Sequence, residues 1–193
     1  MKYLILLLSA LAIFSCNENE SSIDNTMESI FDLKSFVHQE IETYKNSSCS
    51  IYKEGEVNGI SEQKSISSED FKWDKELRVL SNMDIRKSSW VDYIIIDTLF
   101  NEENGPAFTV RYQTINKKIP IKRLEVSYFE EEPSVPFMIE AERSIDNWIF
   151  KSKQKIYYTC GIGLRAEGFQ KVLWLEKKEF NITTLYNCKN ESN

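Results

Sequence analysis

The chain has 193 residues, a length that fits one domain, and 41 % of them are apolar, enough to bury a core of ordinary proportion. Acidic residues outnumber basic ones, 30 to 24, for a formal charge of −6, which argues against a general nucleic-acid binder. One histidine and four cysteines leave little material for histidine-dependent catalysis or a zinc cluster.

At the N-terminus, Lys2 precedes an apolar stretch from Leu4 to Phe14 that is broken only by Ser9. A membrane span takes roughly 20 apolar residues, so this run is too short. It fits the ~7–15-residue core of a cleavable signal. The exit sequence Ile13-Phe14-Ser15-Cys16 resembles the bacterial lipobox, with Phe14 where that motif usually has a small or aliphatic residue. The resemblance implies that residues 1–15 are removed and that Cys16 carries a diacylglyceryl thioether, making its sulfur a membrane anchor. Each buried methylene contributes about 0.8 kcal/mol, and stable anchoring takes two chains or more. Loss of residues 1–15 removes Lys2 and takes the formal charge from −6 to −7. Residues 16–24, with Asn17-Glu18-Asn19-Glu20, read as a flexible polar tether. The same acidic stretch resembles the surface-export signal of Bacteroidota lipoproteins, and both readings stand.

Residues 25–193 read as a single α+β domain with a short C-terminal tail. A helix is predicted over 25–44, with Asn25 and Glu28 as a capping pair and Ile30, Leu33, Val37, Ile41 and Tyr44 on one stripe. Residues 50–57 and 60–67 form a predicted hairpin through Asn58-Gly59, a dipeptide suited to a tight turn with positive φ. A second helix over 69–83, capped by Ser67 or Ser68, presents Trp73, Leu77 and Leu80 on its apolar face. The rest reads as strands. They cover 90–100, turned by Asn104-Gly105-Pro106, then three alternating segments around Val110, Val126 and Ile139, then 147–160, 170–176 and 180–186. Alternation of apolar and polar residues means one buried and one wet face, as in an antiparallel meander. Such a face needs a cover, and the two amphipathic helices are the pieces at hand. The predicted architecture is two helices packed on a curved, mainly antiparallel, half-barrel-like meander.

The signal with Cys16, the Phe31-Asp32-Leu33-Lys34-Ser35-Phe36 helix opening and the segment from Trp73 to Tyr93 resemble a group of uncharacterised Bacteroidota lipoproteins. The resemblance implies an outer-membrane location and assigns no activity. The layout is also similar, as an analogy only, to the half-barrels of the LolA and LolB lipoprotein carriers.

No Gly-x-Ser-x-Gly elbow, Walker loop or dinucleotide fingerprint is present, and Gly161-Ile162-Gly163 is too short for one. No catalytic residue, metal ligand or cofactor site is assigned. His38, beside Phe31 at the edge of the first helix's stripe, is expected to cap or pack. Glu130-Glu131-Glu132-Pro133 is expected in a solvated loop. Lys151, Lys153 and Lys155 alternate onto one strand face, read as a wet face that resists edge pairing. Asp97-Thr98-Leu99 resembles the short Bacteroidota O-glycosylation motif, with Thr98 as acceptor. Cys49, Cys160 and Cys188 are left for an oxidising compartment, and Cys160 with Cys188 is the favoured pair because both lie in the C-terminal sheet region.

The leading expectation is a non-enzymatic scaffold or binding module, held at the membrane by lipid, with an envelope protein, lipid or glycan as partner and no nucleic acid. An apolar-ligand carrier is the alternative, with Trp90, Trp148 and Trp174 as pocket lining. A glycan hydrolase would need paired carboxylates roughly 5–10 Å apart, with Glu140 and Glu142 the first to consider.

Overall fold

The computed structural model describes residues 27–100 and 106–189. Cys16, the tether, Asn25, Asn104 and Gly105 lie outside them. The described chain is α+β. Helix α1 (Leu33–Lys45) leads into strands β1 (Ser48–Val57) and β2 (Ile60–Ser67), then helix α2 (Trp73–Ser81) and a 3-10 turn (Ser88–Tyr93). Seven strands follow: β3 (Ile94–Phe100), β4 (Phe108–Thr114), β5 (Ile121–Tyr128), β6 (Pro136–Asp146), β7 (Phe150–Thr159), β8 (Gly163–Val172) and β9 (Lys178–Lys189). All nine make one antiparallel sheet in the order β2-β1-β9-β8-β7-β6-β5-β4-β3. The sheet does not close; β2 and β3 are its edges.

The expected first helix is interrupted: residues 27–29 are helical, residues 30–32 are not, and a new helix follows. Asp32 takes the N-cap position and accepts from the Ser35 N–H at 3.1 Å, so α1 begins at Leu33. Arg86 reaches the same carboxylate at 2.5 Å. Ile30, Leu33, Val37, Ile41 and Tyr44 are nonetheless all buried, as their spacing requires. The second helix also starts later than expected. Ser67 and Ser68 do not cap it; their hydroxyls go to Asp70 and to the Ser47 carbonyl, and Lys72 at the N-cap offers no side-chain bond. His38 is exposed on α1 and does not pack.

Trp73, Leu77 and Leu80 from α2 join the α1 stripe over Leu124, Val126, Ile139, Ile156 and Tyr158 from the sheet, all nearly or fully buried. The opposite face carries charge, row upon row, as alternation dictates. The Asn58-Gly59 turn adopts φ of 50° and 80°, the left-handed pair that a two-residue hairpin needs. The hairpin does not stand apart: β1 pairs with β9, so the last strand lies inside the sheet.

That pairing sets Cys49 opposite Cys188, with Cα atoms 4.0 Å apart, and a disulfide joins them. The favoured Cys160–Cys188 pair is therefore not formed. Cys160 follows β7, and β8 lies between β7 and β9, a gap of about two strand spacings, roughly 10 Å, which a disulfide does not bridge.

The topology gives the sheet two distinct ends. The β4–β5, β6–β7 and β8–β9 turns lie at one, here the basal end. The β1–β2 turn joins them through Asn58 N–H to Glu179 O at 3.1 Å and Glu179 N–H to Asn58 Oδ1 at 2.8 Å. The disulfide and the β5–β6 and β7–β8 turns lie at the other. Helix α1 starts towards the basal end, where Lys34 shares a cavity with Pro120, Ile121 and Arg143. It ends at the opposite one, where the Tyr44 hydroxyl accepts from Gly161 N–H at 2.9 Å.

Candidate functional site

The helices cover the middle of the inner face and leave its β1–β2–β9 flank open. A cleft of about 650 Å³ results. Gly55, Val57, Ile60 and Ile182 supply its apolar surface, and Lys53, Glu62, Lys64 and Lys178 its polar rim. Residue 55 sets the depth: a Cβ there would rest 3.7 Å from Ile182 Cγ1, an ordinary contact that would raise the floor. At the inner limit Glu76 of α2 reaches down to the sheet, binding Lys53 Nζ at 2.5 Å and accepting from the Thr184 hydroxyl at 2.5 Å. This ties helix to cleft wall and occupies one of the three lysines.

The three expected lining tryptophans do not meet. Trp90 is half-buried, lies under Lys87 at 4.2 Å, and borders a polar cavity of about 330 Å³ with Lys34, Asp84 and Arg143. Trp148 and Trp174 are 77 % and 89 % exposed, at the tips of the β6–β7 and β8–β9 turns. They line no interior, because the strands that would carry them inward end at Phe150 and Val172.

Glu140 and Glu142 do lie on the wet face, within a lattice of ion pairs. Arg111, Glu125 and Glu140 stand opposite one another on β4, β5 and β6. Arg111 Nε meets Glu125 Oε1 at 2.5 Å, with Arg123 at 3.7 Å, and Lys153 holds Glu142 at 2.9 Å. Burial and the Glu125 charge push the Glu140 carboxyl above its ordinary value, against Arg123 and Lys155. Lys151 pairs with Asp146 at 3.0 Å, so two of the three alternating lysines serve this lattice. Glu130, Glu131 and Glu132 are exposed in the β5–β6 loop, as expected.

Under the sheet's inner face, Tyr158 donates to Glu40 and bonds the Tyr44 hydroxyl at 2.9 Å. Burial raises both phenols, Tyr44 to about 12. Cys160 lies nearby, its thiol donating to the Pro136 carbonyl at 3.1 Å and pushed up to about 12 by burial and the Glu40 charge. Both features lock the far end and leave the thiol inert. Thr98 is exposed on the edge strand β3.

Among the described residues no group of three or more histidine, cysteine, aspartate or glutamate side chains could hold a metal, and no helix is long and apolar enough to cross a membrane. What the geometry defines is an α+β domain with an open, apolar-floored cleft on one flank, its charged rim made of Lys64, Lys178 and Glu62 beside the paired Lys53. Compared with protein-family models, curated proteins and solved structures, the chain matches none.

Proposed function

We propose that this chain is an outer-membrane lipoprotein, anchored through acylated Cys16, that binds a ligand in the β1–β2–β9 cleft without converting it. The observation that carries the binding reading is that cleft: apolar below, with Lys64 and Lys178 outnumbering Glu62 at the rim, the complement of an amphiphile with an acidic head. Two helices on an uncovered sheet flank suit a half-barrel carrier or receptor, which keeps the likeness to uncharacterised Bacteroidota lipoproteins and the layout analogy to LolA and LolB as part of this proposal. Thr98, on an exposed edge, would carry the O-glycan; an unmodified Thr98 peptide from native protein removes that element.

The test is native mass spectrometry of the gently purified, full-length chain, followed by titration with an anionic apolar dye. Co-purified lipid, or dye binding that Gly55→Leu weakens by at least about tenfold, supports the cleft. No co-purified ligand together with dye binding indifferent to Gly55→Leu refutes it. Anchoring is read separately. Labelled fatty acid should appear on the wild-type chain, and Cys16→Ser should release the protein from the envelope.

A further inference from the structure

The two tryptophans that fail to line a pocket stand out for where they are. Trp148 and Ile149 on one turn, and Leu173, Trp174 and Leu175 on the next but one, are all exposed, and the Leu173 N–H to Ile149 O bond at 2.8 Å holds the two tips together. Ile60, 72 % exposed, opens β2 at the same end, just past the Asn58-Gly59 turn. A contiguous apolar patch on exposed turns marks an interaction surface, because nothing in the fold needs those side chains there.

We propose that this basal end is a membrane foot: the tips of the β6–β7 and β8–β9 turns seat in the headgroup layer of the bilayer to which Cys16 anchors the chain. The proposal rests on the anchoring reading above. Three observations select a lipid surface as the occupant. The first is tryptophan itself, whose apolar ring and polar N–H suit the boundary between hydrocarbon and headgroups. The second is the place where the chain enters. Cys16 lies eleven residues before Met27, a reach of at most about 40 Å that lets an anchored chain set its basal end, towards which α1 starts at Leu33, on the bilayer.

The third is charge. Exposed Lys117 and Lys118 on the β4–β5 turn, Lys177 and Lys178 on the β8–β9 side, and Lys151 and Lys171 at the strand ends frame the tips. Asp92, Asp146, Glu176 and Glu179, with Glu56 and Glu62 beside the β1–β2 turn, are the exposed carboxylates at this end, and Asp146 and Glu179 pair with Lys151 and Lys177. The β5–β6 turn at the opposite end carries Glu130, Glu131 and Glu132 and no base. Anionic headgroups attract the first end and repel the second. The cleft, lined by Val57, Asn58, Ile60 and Lys178, opens on this same end, so a seated foot brings it to the lipid surface.

The test uses the full-length acylated chain on vesicles of phosphatidylcholine and phosphatidylglycerol with brominated acyl chains. Bromine should cut tryptophan emission by up to about twofold, since Trp148 and Trp174 are two of the four tryptophans and the two most exposed, with Trp90 half-buried and Trp73 buried. The W148F/W174F double variant should lose that quenching, and Leu173→Lys with Leu175→Lys should reduce it without altering the circular dichroism spectrum. Equal quenching of wild type and W148F/W174F overturns the foot. So does a blue-shifted emission that appears without lipid and rises with protein concentration, which would assign the patch to a second copy of the chain. Fatty-acid labelling distinguishes the two readings: a labelled chain with unquenched tips overturns only the foot, and quenched tips on an unlabelled chain overturn only the anchor.

Discussion

Removing the Cys49–Cys188 bond, as the double variant C49A/C188A, should destabilise the domain by several kcal/mol. The residues are 139 apart in sequence. Cross-linking over that separation removes loop-closure freedom from the unfolded chain worth about 5 kcal/mol at 25 °C in the chain-entropy account. Residual structure in the denatured state lowers the realised figure, so a loss of about 3–5 kcal/mol is expected, a large part of the ~5–15 kcal/mol that holds a domain together. The native state offers no compensation, since β1 bonds β9 along its length with or without the sulfurs. In guanidinium chloride, where the slope for a domain of this size is a few kcal/mol per molar, the midpoint should fall by about 1 M. Native-state hydrogen exchange should speed up across the whole core, at the amides that open only by global unfolding, because the effect lies in the unfolded ensemble. A midpoint shift of less than about 0.2 M would refute the reasoning.

Gly168 has φ of 158°, and a Cβ there would run into the Lys153 carbonyl, so Gly168→Ala should cost roughly 1–3 kcal/mol or more in the same denaturation assay. For Glu140, the folded carboxyl holds its proton more tightly than the unfolded one. Stability therefore falls as pH rises from the ordinary carboxylate range through the raised value, and Glu140→Gln should abolish that fall and stabilise the domain at pH 7, as followed by thermal melts across pH. The Cys160 thiol, pushed to about 12, has a thiolate fraction of about 10⁻⁴ at pH 8, so iodoacetamide should alkylate it in the native protein orders of magnitude more slowly than after unfolding. Comparable native and unfolded rates, read by mass spectrometry, would contradict its burial.

What could be read in advance divides along physical lines. The stripe from Ile30 to Tyr44, the Asn58-Gly59 turn and the alternating segments through Val126 and Ile139 report local periodicity, and the structure keeps them. The α1 start was obscured because Ile30 continues the apolar spacing although Asp32, by capping Ser35, resets the helix. Residues 172–175, Val-Leu-Trp-Leu, mimic a buried strand, and apolar content ordinarily signals burial; here it marks the exposed β8–β9 turn, and β8 lies earlier, from Gly163. The Leu164, Ala166, Gly168 alternation was the signal that could have placed it. The cleft and the disulfide share one cause that no local pattern carries: the pairing of β1 with β9, fixed only when distant segments meet.

That pairing also imposes an order on the protein's birth. The strand made last is flanked on both sides, by β8 and by β1. Until residues 178–189 are made, the β1–β2 hairpin has no place in the sheet and Cys49 lacks its partner Cys188. The sheet is thus completed, and its cross-link closed, only once the tail of the chain has arrived.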